Sequence, residues 1–232
     1  MHVDGSTDGT LKLLQDIQNP LLYVSYSENS GRASALERLV TEAKGQFVMI
    51  FDDDDWFIGD GAERVLADCK VPLPETCAGY IYLMKDSRGN IIGGKLPTEL
   101  ANFVSLRADL AVKGDRKEVV RTSLFKKALV GANGRYRRIP TSLYWARIAY
   151  DYDVICKNIV VGGKDYLDGG MTSSISSLKM KNSFPIVMLN VLYIRLFFKG
   201  RYNSAGFLVK SLARVCYYGM LSGLTWIKST RQ

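Results

Sequence analysis

Gln46-Phe47-Val48-Met49-Ile50-Phe51-Asp52-Asp53-Asp54-Asp55-Trp56-Phe57 is the stretch that decides how this chain is read. Its first six residues are almost wholly apolar, as expected of a strand buried on both faces. Four carboxylates follow at once, at the C-terminal end of that strand, where open α/β sheets bind their ligands. Four adjacent like charges repel one another unless a cation sits among them. At a strand end beside a cleft, Mg2+ or Mn2+ suits that role, because both take carboxylate, water and phosphate oxygens. The alternative is a solvated acidic turn, which so apolar a run and the following Trp56-Phe57 make less fitting.

The residues upstream alternate loop, helix, strand and helix. Asp4-Gly5-Ser6-Thr7-Asp8-Gly9-Thr10 reads as a loop opening a helix over Asp8 to Gln18, capped by Ser6 or Thr7. Leu21 to Ser27 reads as a strand and Asn29-Ser30-Gly31 as a turn. A helix over Arg32 to Lys44 has Ala35, Leu36, Leu39, Val40 and Ala43 at helical spacing, with Gly45 as its stop. Glycine lets the backbone approach a ligand closely, so Gly5 and Ser6 after Asp4 fit a nucleoside contact as well as an ordinary turn. Asn29 to Ala35 combines a glycine turn, the cation Arg32 and a helix N-terminus, which suits an anion; a capped surface helix has the same pattern. Downstream, a helix is expected over Gly61 to Cys69 and strands over Cys77 to Lys85, Asn90 to Gly94, Lys117 to Thr122 and Tyr152 to Val161. Helices are expected over Leu124 to Leu129 and Thr141 to Ala149.

The 232 residues, 47% hydrophobic and 23% charged, have an ordinary globular composition. The four cysteines lie far apart, which argues against a zinc site or a disulfide framework. The single histidine, His2, stands at the N-terminus, which excludes Ser-His-Asp and Cys-His hydrolases. The net charge of +8 suits acidic partners. An acidic cluster in the cleft, and no aromatic–basic platform, argue against nucleic acid. Phe184 to Phe198 and Ala205 to Ile227 are apolar but interrupted by Asn190, Arg195, Lys210 and Arg214. Two amphipathic helices lying in an anionic interface fit this pattern, as do two helices packed on the body.

VDGSTDGT followed by NSGRASALERLVTEAKGQFVMIFDDDDWF resembles the nucleotide-binding half of family 2 glycosyltransferases, and the resemblance continues less strongly to about residue 172. It implies an α/β GT-A fold: a Rossmann-like, three-layer sandwich of the nucleotide-diphospho-sugar transferase type with a mixed, mostly parallel sheet and C-terminal helices. Residues 1–172 would form this domain, N-terminally incomplete because the family's first strand and base-holding loop are missing, and 173–232 would form a basic apolar helical tail. Asp4, Gly5, Ser6, Arg32, Asp52 and Asp53 would bind the nucleotide-sugar. Asp52 and Asp54 would be the ends of an Asp-x-Asp motif holding Mg2+ or Mn2+, although Asp53 and Asp55 fit the same spacing.

The implied activity is metal-dependent, inverting transfer from a UDP- or dTDP-sugar to a glycan or lipid-linked acceptor. Its setting would be envelope polysaccharide synthesis in the cytoplasm or peripherally on the cytoplasmic face of the inner membrane. The family's base, commonly a Glu, falls here at Thr141 or Ser142, and neither is a base without help. Asp115, Glu118 and Asp168 are the carboxylates available to stand in for it, so the catalytic residue stays unknown at this point. A catalytically inactive remnant or binding module of the same fold is the alternative, and an aspartyl phosphate-transferring enzyme a more distant one.

Overall fold

Cys77–Lys85 is the strand around which the chain is built, with all but its last residue buried. Side chains alternate across a strand, so Ile81 and Leu83 face one core while Tyr80 and Tyr82 face another. The computed structural model describes residues 1–132, 134–165 and 183–229, with the side chains of the last stretch as far as 222. In chain order the elements are β1 (His2–Asp4), α1 (Thr10–Gln15), β2 (Ser25–Ser27), α2 (Arg32–Glu42), β3 (Phe47–Met49), β4 (Asp55–Phe57), α3 (Gly61–Lys70), β5 (Cys77–Lys85) and β6 (Leu100–Ala101). They continue with α4 (Phe103–Ala108), β7 (Arg116–Arg121), α5 (Thr122–Ala128), α6 (Thr141–Ala149), β8 (Asp153–Lys164), α7 (Ser183–Phe198) and α8 (Ala205–Ser229).

Six strands form one sheet in the order β3-β7-β5-β8-β4, with β6 also on β8. The larger core lies between one face of this sheet and helices α2, α4, α5, α6 and α7. The smaller core lies between the other face and α3, through Val65, Tyr80, Tyr82, Val119 and Val161. Helices on both faces make three layers of a mixed α/β fold. The β1–β2 and β5–β8 pairings are parallel, while β3–β7, β5–β7, β4–β8 and β6–β8 are antiparallel. The sheet is thus mixed, with β4, β6 and β7 running against their neighbours.

β1 and β2 form a separate two-stranded sheet. Among the described residues β1 pairs only with β2, and β3 only with β7, so each keeps one edge without a ladder partner. The His2 ring spans the small sheet, with Nδ1 at 2.8 Å from Ser25 Oγ and Nε2 at 3.1 Å from Ser27 Oγ.

Several sequence expectations need correction. Neither Ser6 nor Thr7 caps α1: Gly9 precedes it in a left-handed conformation, and Asp8 Oδ1 accepts from Thr10 N–H and Oγ1–H. α1 stops at Gln15, and the Leu21–Ser27 strand shrinks to Ser25–Ser27, because Asn19 turns the chain by accepting from Leu21 and Leu22. α2 ends at Glu42 with Ala43 already extended, so Gly45 is not its left-handed stop. Asn90–Gly94 is no strand: Ile91 makes one bridge to Lys85, and Gly93 and Gly94 both take positive φ.

Glu37, a buried residue on α2, holds the helix layer in place. Its carboxylate accepts N–H groups from Val130, Gly131 and Ala132 and the hydroxyl of Tyr144 on α6. The tail is joined to the body as firmly. Leu189, Tyr193 and Leu196 of α7 enter the main core. Between α7 and α8, Arg201 donates to Ala149 O, Tyr152 O and Asp153 Oδ1, and Asp109 accepts from Asn203 and Ser204 N–H. Among the described residues no helix is long and apolar enough to cross a membrane. Glu37→Ala leaves three backbone donors and a phenol unmatched and is expected to cost about 3 kcal/mol, read as a loss in urea unfolding free energy; a loss below about 1 kcal/mol would show that water replaces the carboxylate.

Candidate active site

The acidic run leaves the end of β3 and re-enters the sheet as β4, where Asp55 lies opposite Lys164 on β8. This turn packs Phe57 on Phe51, with ring centroids 4.4 Å apart. Trp56 covers Gly163, where a Cβ would come within 2.4 Å of the indole. The aromatic pair after the aspartates thus fixes the turn that presents them.

Carboxylate oxygens of Asp52, Asp54 and Asp55 lie within 4.8 Å of one another. Three cations from three elements surround them. Arg32, at the start of α2, donates to Asp52 Oδ1 from Nη2 at 2.7 Å and from Nε at 3.3 Å, and reaches Thr141 Oγ1 with Nη1 at 3.3 Å. Lys117 of β7 pairs with the fully buried Asp55 Oδ2 and lies over the Phe51 ring. Lys164 lies 3.5 Å from Asp54, 3.7 Å from Asp55, 3.7 Å from Asp115 and 4.0 Å from Asp52.

Burial alone would raise the Asp52 pKa, but the charge and hydrogen bonds of Arg32, with Lys117 and Lys164 nearby, hold it below the ordinary value. Burial would likewise lower Lys164, but the carboxylates of Asp55, Asp115, Asp54 and Asp52 raise it, so it is an ammonium at neutral pH. The donor set suits a divalent cation. Asp55 Oδ1 is buried with no hydrogen-bond donor, and carboxylates are ligands for Mg2+ and Mn2+. Asp55 thus joins the expected Asp52 and Asp54, and Asp53 is outside the triad.

A cavity of ≈ 290 Å³ opens beside the triad. Arg32, Asp52, Asp55, Lys117 and Lys164 line its charged end, while Ile81, Phe103, Leu106, Val112 and Trp145 line its apolar part. Thr141 and Ser142, at the start of α6, and Glu118 of β7 open into the same space. Burial raises Glu118 to about 7, against the lowering pull of Lys117 and Arg107.

Asp4, Gly5 and Ser6 do not line this cavity. Asp4 Oδ1 accepts Ser30 N–H and Oδ2 accepts Gly31 N–H, both at 2.8 Å, so its carboxylate ties β1 to the start of α2. Gly31, with φ +91°, permits this: a Cβ there would lie 2.6 Å from Arg137 O. That carbonyl in turn accepts Ala33 N–H at 3.3 Å. The protein thus takes the Gly31 and Ala33 N–H groups at the start of α2 with its own oxygens, while Arg32 acts through its side chain. Asp115 joins the Lys164 cluster, and Asp168 lies outside the described residues. Sequence reading missed Lys117 and Lys164; Lys164 meets the acidic turn only through the pairing of β4 with β8, and the expected strand stopped short of it at Val161.

Residues 3–96 match the model of Glycosyl transferase family 2, a stretch holding both glycine loops and the acidic run. That part of the chain is similar to the family 2 glycosyltransferases. No curated protein matches the chain in sequence. Among solved structures, "Crystal structure of S. aureus TarS 1-349" is similar at 18% identity with a TM-score of 0.49, over 87% of this chain and 63% of that one. The chain therefore spans less than two thirds of that neighbour's length.

Lys117→Met leaves the Asp55 carboxylate buried with its main partner gone and is expected to cost about 3–5 kcal/mol of unfolding free energy. The double variant Lys117→Met/Asp55→Asn should recover most of that loss in a urea double-mutant cycle; equal losses in single and double variants would dismiss the pair as the cause.

Proposed function

We propose that this chain transfers a sugar from a nucleotide-sugar donor to a glycan or lipid-linked acceptor, with inversion and with the help of Mg2+ or Mn2+. The observation that carries the reading is the Asp52–Asp54–Asp55 triad, whose buried Asp55 Oδ1 receives no hydrogen bond, beside a cavity that also holds Arg32 and Lys164. Asp52, Asp54 and Asp55 would hold the cation, and Asp53 stays assigned to the donor. A divalent ion there would supply positive charge against the departing nucleoside diphosphate. Arg32 and Lys164 would bind the diphosphate oxygens and orient the donor. Asp4, Gly5 and Ser6 would border the nucleoside, with Asp4 using the lone pairs its contacts with the Ser30–Gly31 loop leave free. Residues 1–172 would do this chemistry and 173–232 would be the tail that brings it to its acceptor.

The proposed setting is envelope polysaccharide synthesis at the cytoplasmic face of the inner membrane, and α8 supports it. Val209, Leu212, Tyr217 and Met220 are all exposed, and with exposed Ala213 and Cys216 they fall at helical spacing on one stripe. Exposed Lys210 and Arg214 flank it. No Asp or Glu follows Asp168, whereas nine Lys and Arg do, which exceeds the whole net charge of +8. An apolar stripe edged by cations on an acid-free segment fits an anionic bilayer surface.

A binding module without turnover is the second reading, favoured by Thr141 and Ser142 in the usual position of the base. One experiment separates the two. With Mn2+, UDP at about 100 times its Kd should stabilise the chain by about 2.7 kcal/mol, Asp54→Asn should remove the effect, and a nucleotide-sugar panel should release nucleoside diphosphate. Binding without release would favour the module, and no Mn2+-dependent UDP binding would refute both. Separately, the chain should sediment with vesicles containing phosphatidylglycerol and not with phosphatidylcholine alone. Lys210→Glu/Arg214→Glu should weaken that binding roughly tenfold or more, and binding indifferent to lipid charge would contradict the membrane setting.

A further inference from the structure

The cavity beside the triad is lined by four carboxylates: Asp52, Asp55, Asp115 and Glu118. Three are committed to cations. Asp52 is held by Arg32, Asp55 by Lys117 and Lys164, and Asp115 lies 3.7 Å from Lys164. Glu118 alone of the four has neither an ion pair nor a side-chain hydrogen bond among the described residues. It projects from β7, opposite Ile81 of β5, on the sheet face that packs against α6. It therefore borders the same space as Thr141 and Ser142, on the apolar side of the charged end.

Resting on the glycosyltransferase reading, we infer that Glu118 is the catalytic base, the carboxylate that takes the proton from the acceptor hydroxyl. As the acceptor oxygen bonds to the anomeric carbon, the bond from that carbon to the diphosphate oxygen breaks. Its electron pair leaves with the nucleoside diphosphate. The hydroxyl proton passes to Glu118, which then returns it to water. Elimination among the described groups that line the cavity supports the role. The only histidine lies on β1 against Ser25 and Ser27, and the hydroxyls of Thr141 and Ser142 are not bases at neutral pH.

The surroundings suit a base. Burial raises its pKa to about 7, a further push coming from Asp115, while Lys117 and Arg107 of α4 pull it down. Asp52, Asp55 and Lys164 face it across the cavity, as do Arg32 of α2 and Tyr193 of α7. A general base works best when its pKa lies near the working pH. Because the deprotonated form is the active one, kcat/KM should rise with pH through about 7 and level off above it.

The test is steady-state transfer by the full chain with Mn2+ and a nucleotide-sugar that it turns over, across pH 5.5 to 9 in outline (roughly, bracketing the expected midpoint). Glu118→Gln should lower kcat by about 100-fold or more while leaving the Kd for UDP–Mn2+ within about twofold, and the acid limb should vanish. Glu118→Asp should restore part of the rate and the limb. Undiminished turnover in Glu118→Gln, or an unchanged acid limb, would overturn the base alone. A wild-type chain that binds UDP–Mn2+ yet turns over no donor would overturn the transfer reading and the base with it. If Glu118→Gln does not fold, the wild-type profile decides: a midpoint in the ordinary carboxylate range would overturn the assignment.

Discussion

Four consecutive aspartates can follow the half-buried edge strand β3 only if cations reach them from elsewhere in the fold. Arg32, Lys117 and Lys164 come from α2, β7 and β8, so the acidic turn is stable only once those elements are in place. Asp55 makes the demand sharpest, since its side chain is wholly buried and pairs with a lysine that is itself nearly so. Buried charges of this kind contribute little net stability but are costly to separate. The pair is better understood as fixing where the turn lies than as holding the fold together.

The same elements give the cavity its two characters. Its charged end faces the acidic turn, and its apolar part is built by Phe103 and Trp145, which stack with ring centroids 5.5 Å apart. Arg32 joins the two ends by holding Asp52 with one edge of its guanidinium and Thr141 with the other. Glu37, one helical turn further along α2, anchors the segment after α5 and the helix α6. One helix thus sets both the charge balance of the turn and the distance to the opposite wall.

Local sequence signals predicted the framework well. The unbroken apolar strand Cys77–Lys85 and the helix Thr141–Ala149 are each specified by their own side chains and match the structure residue for residue, whereas the strand expected from Gln46 to Phe51, buried on both faces, is the half-buried edge strand Phe47–Met49. Partners were less legible. Nothing near Lys164 in sequence announces an acidic neighbour, because its partners are more than a hundred residues away for Asp54 and Asp55 and are reached only through strand pairing. Asp4 shows the same limit. The Asp-Gly-Ser loop suggests a ligand contact, but which backbone groups its carboxylate also takes depends on how β1 meets α2. The strand expected at Asn90–Gly94 fails for a different reason: Gly93 and Gly94 both take left-handed conformations.

The small sheet of β1 and β2 shares no backbone ladder with the six-stranded one. Among the described residues its hydrogen-bonded links to the rest include the Asp4 carboxylate and Asn29, which accepts from Arg137, while Val3 is buried. Elements joined by so few bonds exchange amide hydrogens through local opening rather than global unfolding. A molecule that touched Asp4 at one end and Asp52 at the other would splice two loosely coupled bodies into one, so part of its binding free energy would be spent on stiffening, and the tightening would register in amide protection far from any atom it contacts.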